Sequence, residues 1–199
     1  MKSGKRKVRE RMTKVRVRGA LSIATVLLST TILMATAPQA QAYALEGPHW
    51  GSSTVYVEDF IWYSMDSSAS GSIDAAFKAA ISDYYAKTHL YIYGGDYSTA
   101  GFRASAANFG ATGWEGQTGF TYLGSRFMSV ESRLNAYYLP NSTNQTRLKM
   151  VWLHELGHGL GLDHVSTLTD PMQPNASDAY SRGVTTLSQD MVNGINSMY

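Results

Sequence analysis

Two periodicities take turns along the chain, and the points where they switch divide it into elements. Over 71–88, "GSIDAAFKAAISDYYAKT", apolar residues recur at Ile73, Phe77, Ile81 and Tyr84 or Tyr85. That is the spacing of one helical face, with Ser72 placed as N-cap. The preceding run, Thr54 to Ser64, is rich in β-branched and aromatic residues and predicts a strand; His89 to Tyr93 predicts a short one, closed by Gly94-Gly95. From Tyr97 to Gly119 the chain is rich in Gly, Ala and Ser with no sustained period, which predicts irregular structure and short edge strands. "GFTYL" and "RFMSVESRLNAYYL" read as two further strands, and the polar loop Pro140 to Thr146 leads into a second helix. After the loop "LTDPMQPNASDAYSRG" comes a last helix, with Ser188 as N-cap, Asp190 in its first turn, and Leu187 and Val192 spaced as a hydrophobic staple. No internal repeat is present. The order predicts one α/β (α+β) domain with a mixed sheet.

The N-terminus breaks this pattern. Nine of the 17 Lys and Arg lie in the first 18 residues, ahead of the apolar run Ala20 to Ala37 and the small-residue exit "PQAQAYA". This is the layout of a secretory signal peptide over 1–42, cleaved after Ala42, with residues 43–199 as the mature domain. A retained membrane anchor is the alternative, since the run is nearly long enough to span a bilayer. Beyond residue 42 the chain holds eight basic against 14 acidic residues, so the basic pI reflects the leader alone. An acidic mature chain argues against nucleic acid as a partner. The expectation is an extracellular protein, exported from a bacterium, with no stable membrane association after cleavage and a monomeric state.

The chain has no cysteine, which excludes disulfides, thiolate ligands and a cysteine nucleophile. Three of its five histidines fall in "WLHELGHGLGLDH", residues 152–164. His154 and His158 are four apart, so on a helix their rings differ by about 40° and can converge on one ion. Glu155 sits beside that ion as a general base. Were the helix to continue, His164 would point about 240° away from His158 and lie about 9 Å further along. It can reach the ion only if the chain leaves the helix near Gly161, where glycine tolerates a positive φ. Three neutral imidazoles leave a tetrahedral ion one open position, the catalytic arrangement.

At these residues the chain resembles the metzincin metallopeptidases, whose H-E-x-x-H-x-x-G-x-x-H motif is followed by a methionine turn. Met172, in "DPMQP", matches that methionine. Pro174 two residues later, the "GLDH" ending and the closing "LSQDMVNGINSMY" resemble the matrixin branch, the matrix-metalloproteinase type of catalytic domain. The resemblance implies a zincin fold: a twisted mixed sheet with a backing helix, an active-site helix and a C-terminal helix. It implies a secreted zinc endopeptidase in which His154, His158 and His164 bind one zinc, Glu155 is the general base acting on a zinc-bound water, and Met172 is an apolar floor. Protein or peptide is the substrate, held in a cleft along a sheet edge, with the loop from Pro174 to Gly183 lining a specificity pocket and Tyr180 a candidate wall residue. Latency through a propeptide cysteine is not expected. His49 and His89 are expected to be surface or packing residues rather than ligands of a second zinc. Calcium is a further candidate, with Asp96, Asp59 and Glu115 as oxygen donors but no Asp-rich loop to hold it. The competing readings are a zinc-stabilised binding module without proteolysis and a narrow peptidase of cell-wall or signalling peptides.

Overall fold

A computed structural model of the chain describes residues 43–51, 60–65, 70–96 and 100–199. The predicted export signal, the first part of the strand predicted over Thr54 to Ser64, and Asp59 lie outside them. The elements are β1 (Ala44–Leu45), β2 (Phe60–Met65), α1 (Gly71–Lys87), β3 (Tyr91–Gly94), β4 (Phe102–Ala107), β5 (Gly116–Leu123), β6 (Arg126–Asn135), α2 (Gln145–Gly159), β7 (Leu162–Asp163), α3 (Ala176–Ser181) and α4 (Gln189–Met198). Five strands form one sheet in the order β3-β2-β4-β6-β5, and β1 pairs with β7 in a separate two-stranded ladder. In the main sheet β3, β2, β4 and β6 run parallel, and β5 closes one side antiparallel to β6. The mixed α/β sheet of the sequence reading is the observed one.

α1 buries Ile73, Ala76, Phe77, Ala80, Ile81 and Tyr84, whereas Tyr85 is exposed. Its start differs from expectation. Ser70, not Ser72, is the N-cap, and its side chain makes no capping bond. Asn141 Oδ1 instead accepts from the Ile73 amide at 3.1 Å, so a tertiary neighbour satisfies an amide at the helix start. α2 is buried along most of its length. Phe77 of α1 meets Trp152 edge-on at 5.1 Å, and the buried Tyr84 hydroxyl donates to the Leu153 carbonyl at 2.7 Å. These contacts fix the helix that carries His154 and His158. Among the described residues, no helix is long and apolar enough to cross a membrane.

Three expectations need correction. The stretch after Tyr97 contains a full inner strand, β4, rather than short edge strands. Its Ala and Ser residues are weak strand formers, but β2 and β6 pair it on both sides and packing overrides propensity. β5 begins at Gly116, ahead of the predicted "GFTYL", and β6 ends at Asn135, ahead of Tyr137 and Tyr138. The loop predicted after Met172 folds a six-residue helix, α3, whose N-cap Asn175 accepts from the Ser177 amide at 3.2 Å. The Ser188 cap is as expected: its hydroxyl accepts from the Met191 amide at 3.0 Å.

Candidate active site

His154, Glu155 and His158 stand on α2, which opens with Asn144 as N-cap, its Oδ1 accepting from the Thr146 and Arg147 amides. The helix stops where the sequence supplies glycine. Gly161 adopts φ +100°, outside the range comfortable for other residues. A Cβ there would also lie 2.9 Å from the Pro48 carbonyl oxygen. Helix ends leave carbonyls without partners, and here the N-terminal segment and the last residue supply donors. The Trp50 indole donates to the Gly159 carbonyl at 2.8 Å, the Tyr199 hydroxyl to Leu160 at 3.0 Å, and the Glu46 amide to Gly161 at 2.9 Å. β7 then doubles back against β1, and His164 follows immediately.

The turn brings the three rings together. The Nε2 atoms lie 3.2 Å apart for His154 and His158, 3.1 Å for His158 and His164, and 3.2 Å for His154 and His164. Two nitrogens at the usual zinc distance in a tetrahedral site stand about 3.3 Å apart. The tautomers fit a cation as well. His154 Nδ1 donates to the Pro171 carbonyl at 2.7 Å, and His158 Nδ1 donates to the Leu162 carbonyl at 2.9 Å. With the ring proton on Nδ1, the lone pairs of both Nε2 atoms face the cluster centre, a donor set that fits a metal ion. Burial, with the neighbouring His158 imidazole, holds His154 down to about 3; burial, with the facing His164 imidazole, holds His158 down to about 4. Both are therefore neutral, as metal ligation requires. Among the described residues this is the one group of three or more metal-binding side chains brought within reach of a common ion.

Glu155 is 4 % exposed. The Thr118 hydroxyl donates to its Oε2 at 2.8 Å, and the Ser132 hydroxyl donates to its backbone carbonyl at 3.1 Å. Gly116 makes room for the other oxygen: a Cβ there would stand 2.5 Å from Oε1. Burial pushes the carboxyl up to about 7, against the opposing effect of the Thr118 bond. Met172 is buried, with its sulfur against Gly157, where a Cβ would lie 2.5 Å away. Asp170 holds that turn by accepting from the Met172 amide at 2.7 Å and from the Ser188 hydroxyl.

Both groups open into one cleft of about 380 Å³, walled by β5 from Gly116 to Thr118 on one side and by Pro174 to Ala176 on the other. β5 is an edge strand of the sheet, so one row of its backbone groups faces away from β6. Tyr180 is not among the cleft-lining residues; it sits on α3, partly buried against the core. Glu115, offered above as a calcium donor, is taken up by Arg147 and Ser177, both of which bond its carboxylate. His89 is exposed, and His49 packs edge-on to Tyr199. Nothing local in the sequence marks Thr118, Ser132, Gly116 or Glu46, each of which reaches the site from a segment remote from α2. Asp170 was closer to being legible, as an Asp-Pro turn just ahead of Met172.

A helix bearing two convergent histidines and a buried glutamate, set beneath a sheet edge, is the arrangement of the zincin metallohydrolases; a third histidine from a glycine-turned loop marks their metzincin branch. The matrixin family model matches residues 37–199, and the chain belongs to that family, one of zinc-dependent metallopeptidases. A comparison with individually curated proteins finds no match.

Proposed function

We propose that the protein is a secreted zinc endopeptidase in which His154, His158 and His164 hold one zinc and Glu155 is the general base. The observation that carries this reading is the convergence of three imidazole Nε2 atoms, each within 3.2 Å of the other two, in a cleft shared with a buried carboxyl. When bound, zinc supplies Lewis acidity, bringing the pKa of water towards neutrality and drawing charge from a carbonyl oxygen.

The chain's own residues supply the rest. An extended peptide adds to the outer edge of β5 through backbone hydrogen bonds, which aligns its scissile carbonyl along the cleft. Thr118 occupies Oε2 of Glu155 and leaves Oε1 to take the proton from the attacking water. As the C–N bond breaks, Glu155 passes that proton to the leaving amine nitrogen. A single carboxylate that accepts the proton and then returns it serves both halves of this exchange. Pro174 to Ala176, which wall the cleft, contribute to side-chain selection. The leader over 1–42 directs export and is removed after Ala42, and the mature domain acts as a monomer.

The test is cleavage of a peptide library by zinc-loaded wild type and Glu155→Gln. Wild type is expected to show chelator-sensitive hydrolysis. The variant should retain zinc and lose about 10²- to 10⁴-fold in rate, the usual worth of a general base. Zinc binding by wild type without any cleavage makes the protein a metal-stabilised binding module instead. The cleavage profile separates a general protease from one confined to a few sequences.

A further inference from the structure

Glu46 lies in the N-terminal segment, 108 positions from His154 in the chain, yet it borders the same cleft. Its placement is fixed by backbone. Leu45 pairs with Leu162 and Ala44 with Asp163, and the Glu46 amide donates to Gly161 at 2.9 Å. The segment is further tied down by the Trp50 indole on Gly159. This register sets Glu46 Oε1 3.2 Å from His158 Nδ1. The Nδ1 proton is already directed at the Leu162 carbonyl, so the Glu46 carboxylate stands beside the ring as a negative charge, in addition to Asp163, whose charge also acts on His158. The other helical ligand differs: His154 Nδ1 meets the Pro171 carbonyl, a neutral acceptor.

We propose that Glu46 is a positioning residue for the metal centre, a carboxylate supplied by the N-terminal segment that polarises the His158 ring and strengthens its hold on zinc. The physical basis is general. A metal draws electron density from its imidazole ligand, the ring becomes more positive, and a carboxylate at the far nitrogen stabilises that state. The assignment rests on the three-histidine site proposed above, and makes the pairing of β1 with β7 part of the metal site as well as of the fold.

The experiment measures the zinc dissociation constant of metal-free protein by competition with a chromophoric chelator, alongside the melting temperature of the metal-free form. Glu46→Gln keeps the shape and removes the charge; it should weaken zinc binding about tenfold with the metal-free melting temperature unchanged. Glu46→Asp keeps the charge and should bind within about threefold of wild type. The role is refuted if Glu46→Gln binds as tightly as wild type, or if Glu46→Asp is weakened as much as Glu46→Gln. Should Glu46→Gln fold poorly, comparison of Glu46→Asp with a neutral Glu46→Ser decides in the same way. Wild type that fails to bind zinc removes the three-histidine site itself, an outcome distinct from either variant result.

Discussion

The metal centre is built from two halves held by different means. His154 and Glu155 ride on a helix packed between α1 and the sheet, buried, with Tyr84, Thr118 and Ser132 bonded directly to that helix or to the Glu155 side chain. His164 sits on an exposed loop whose course depends on one positive-φ glycine and on donors from both ends of the domain: Glu46 and Trp50 at one, Tyr199 at the other. The helical half is placed by core packing, so its geometry is as rigid as the core. The loop half is placed by a few capping bonds. Changes to the contacts that support the first should alter stability and spare zinc binding, and changes to those that support the second should alter both.

The largest expected effect belongs to the buried carboxyl. Glu155 titrates near 7 in the fold against 4.5 when free, so between those values the folded state keeps a proton that the unfolded state has lost. Stability therefore falls as pH rises through this window. The metal-free Glu155→Gln variant escapes the loss and should be more stable than metal-free wild type by about 3 kcal/mol above pH 7. The gap should close towards pH 4.5; denaturant unfolding at several pH values reads it. A gap independent of pH would mean that burial of charge is not the cause.

Gly161→Ala comes next. It forces a side chain into φ +100° and against the Pro48 carbonyl, and should cost roughly 1–3 kcal/mol together with a measurable loss of zinc affinity. Lost stability with unchanged affinity would break the distinction between the halves. Tyr84→Phe removes the hydroxyl bonded to Leu153 and should cost about 1 kcal/mol, with zinc affinity unchanged by competition titration. The smallest change is expected from Asn144→Ala, an N-cap on the far end of α2, at about 0.5–1 kcal/mol in thermal unfolding. A fall in zinc affinity in either helical variant would show that the halves are not independent.

The same contrast explains what the sequence could disclose. Periodicity exposed α1, because an amphipathic helix records its buried face locally; α2, buried at every position from Met150 to Gly157, was legible instead through the helical 154/158 spacing. His164 was readable through Gly161, since a backbone requirement narrows the residue type. Strand β4 was hidden because "FRASAA" owes its conformation to partners on both sides. α3 was hidden by its brevity and by the prolines before it. Glu46 carried no signal at all, because its contact exists only once the N-terminal segment has paired with β7.

The central claim is that His164, although off the helix, completes the metal site. X-ray absorption on the zinc-loaded wild type and His164→Ala proteins tests it most directly. The account predicts three imidazole nitrogens at about 2.0–2.1 Å in wild type and two in the variant. An unchanged three-nitrogen shell in His164→Ala would contradict it.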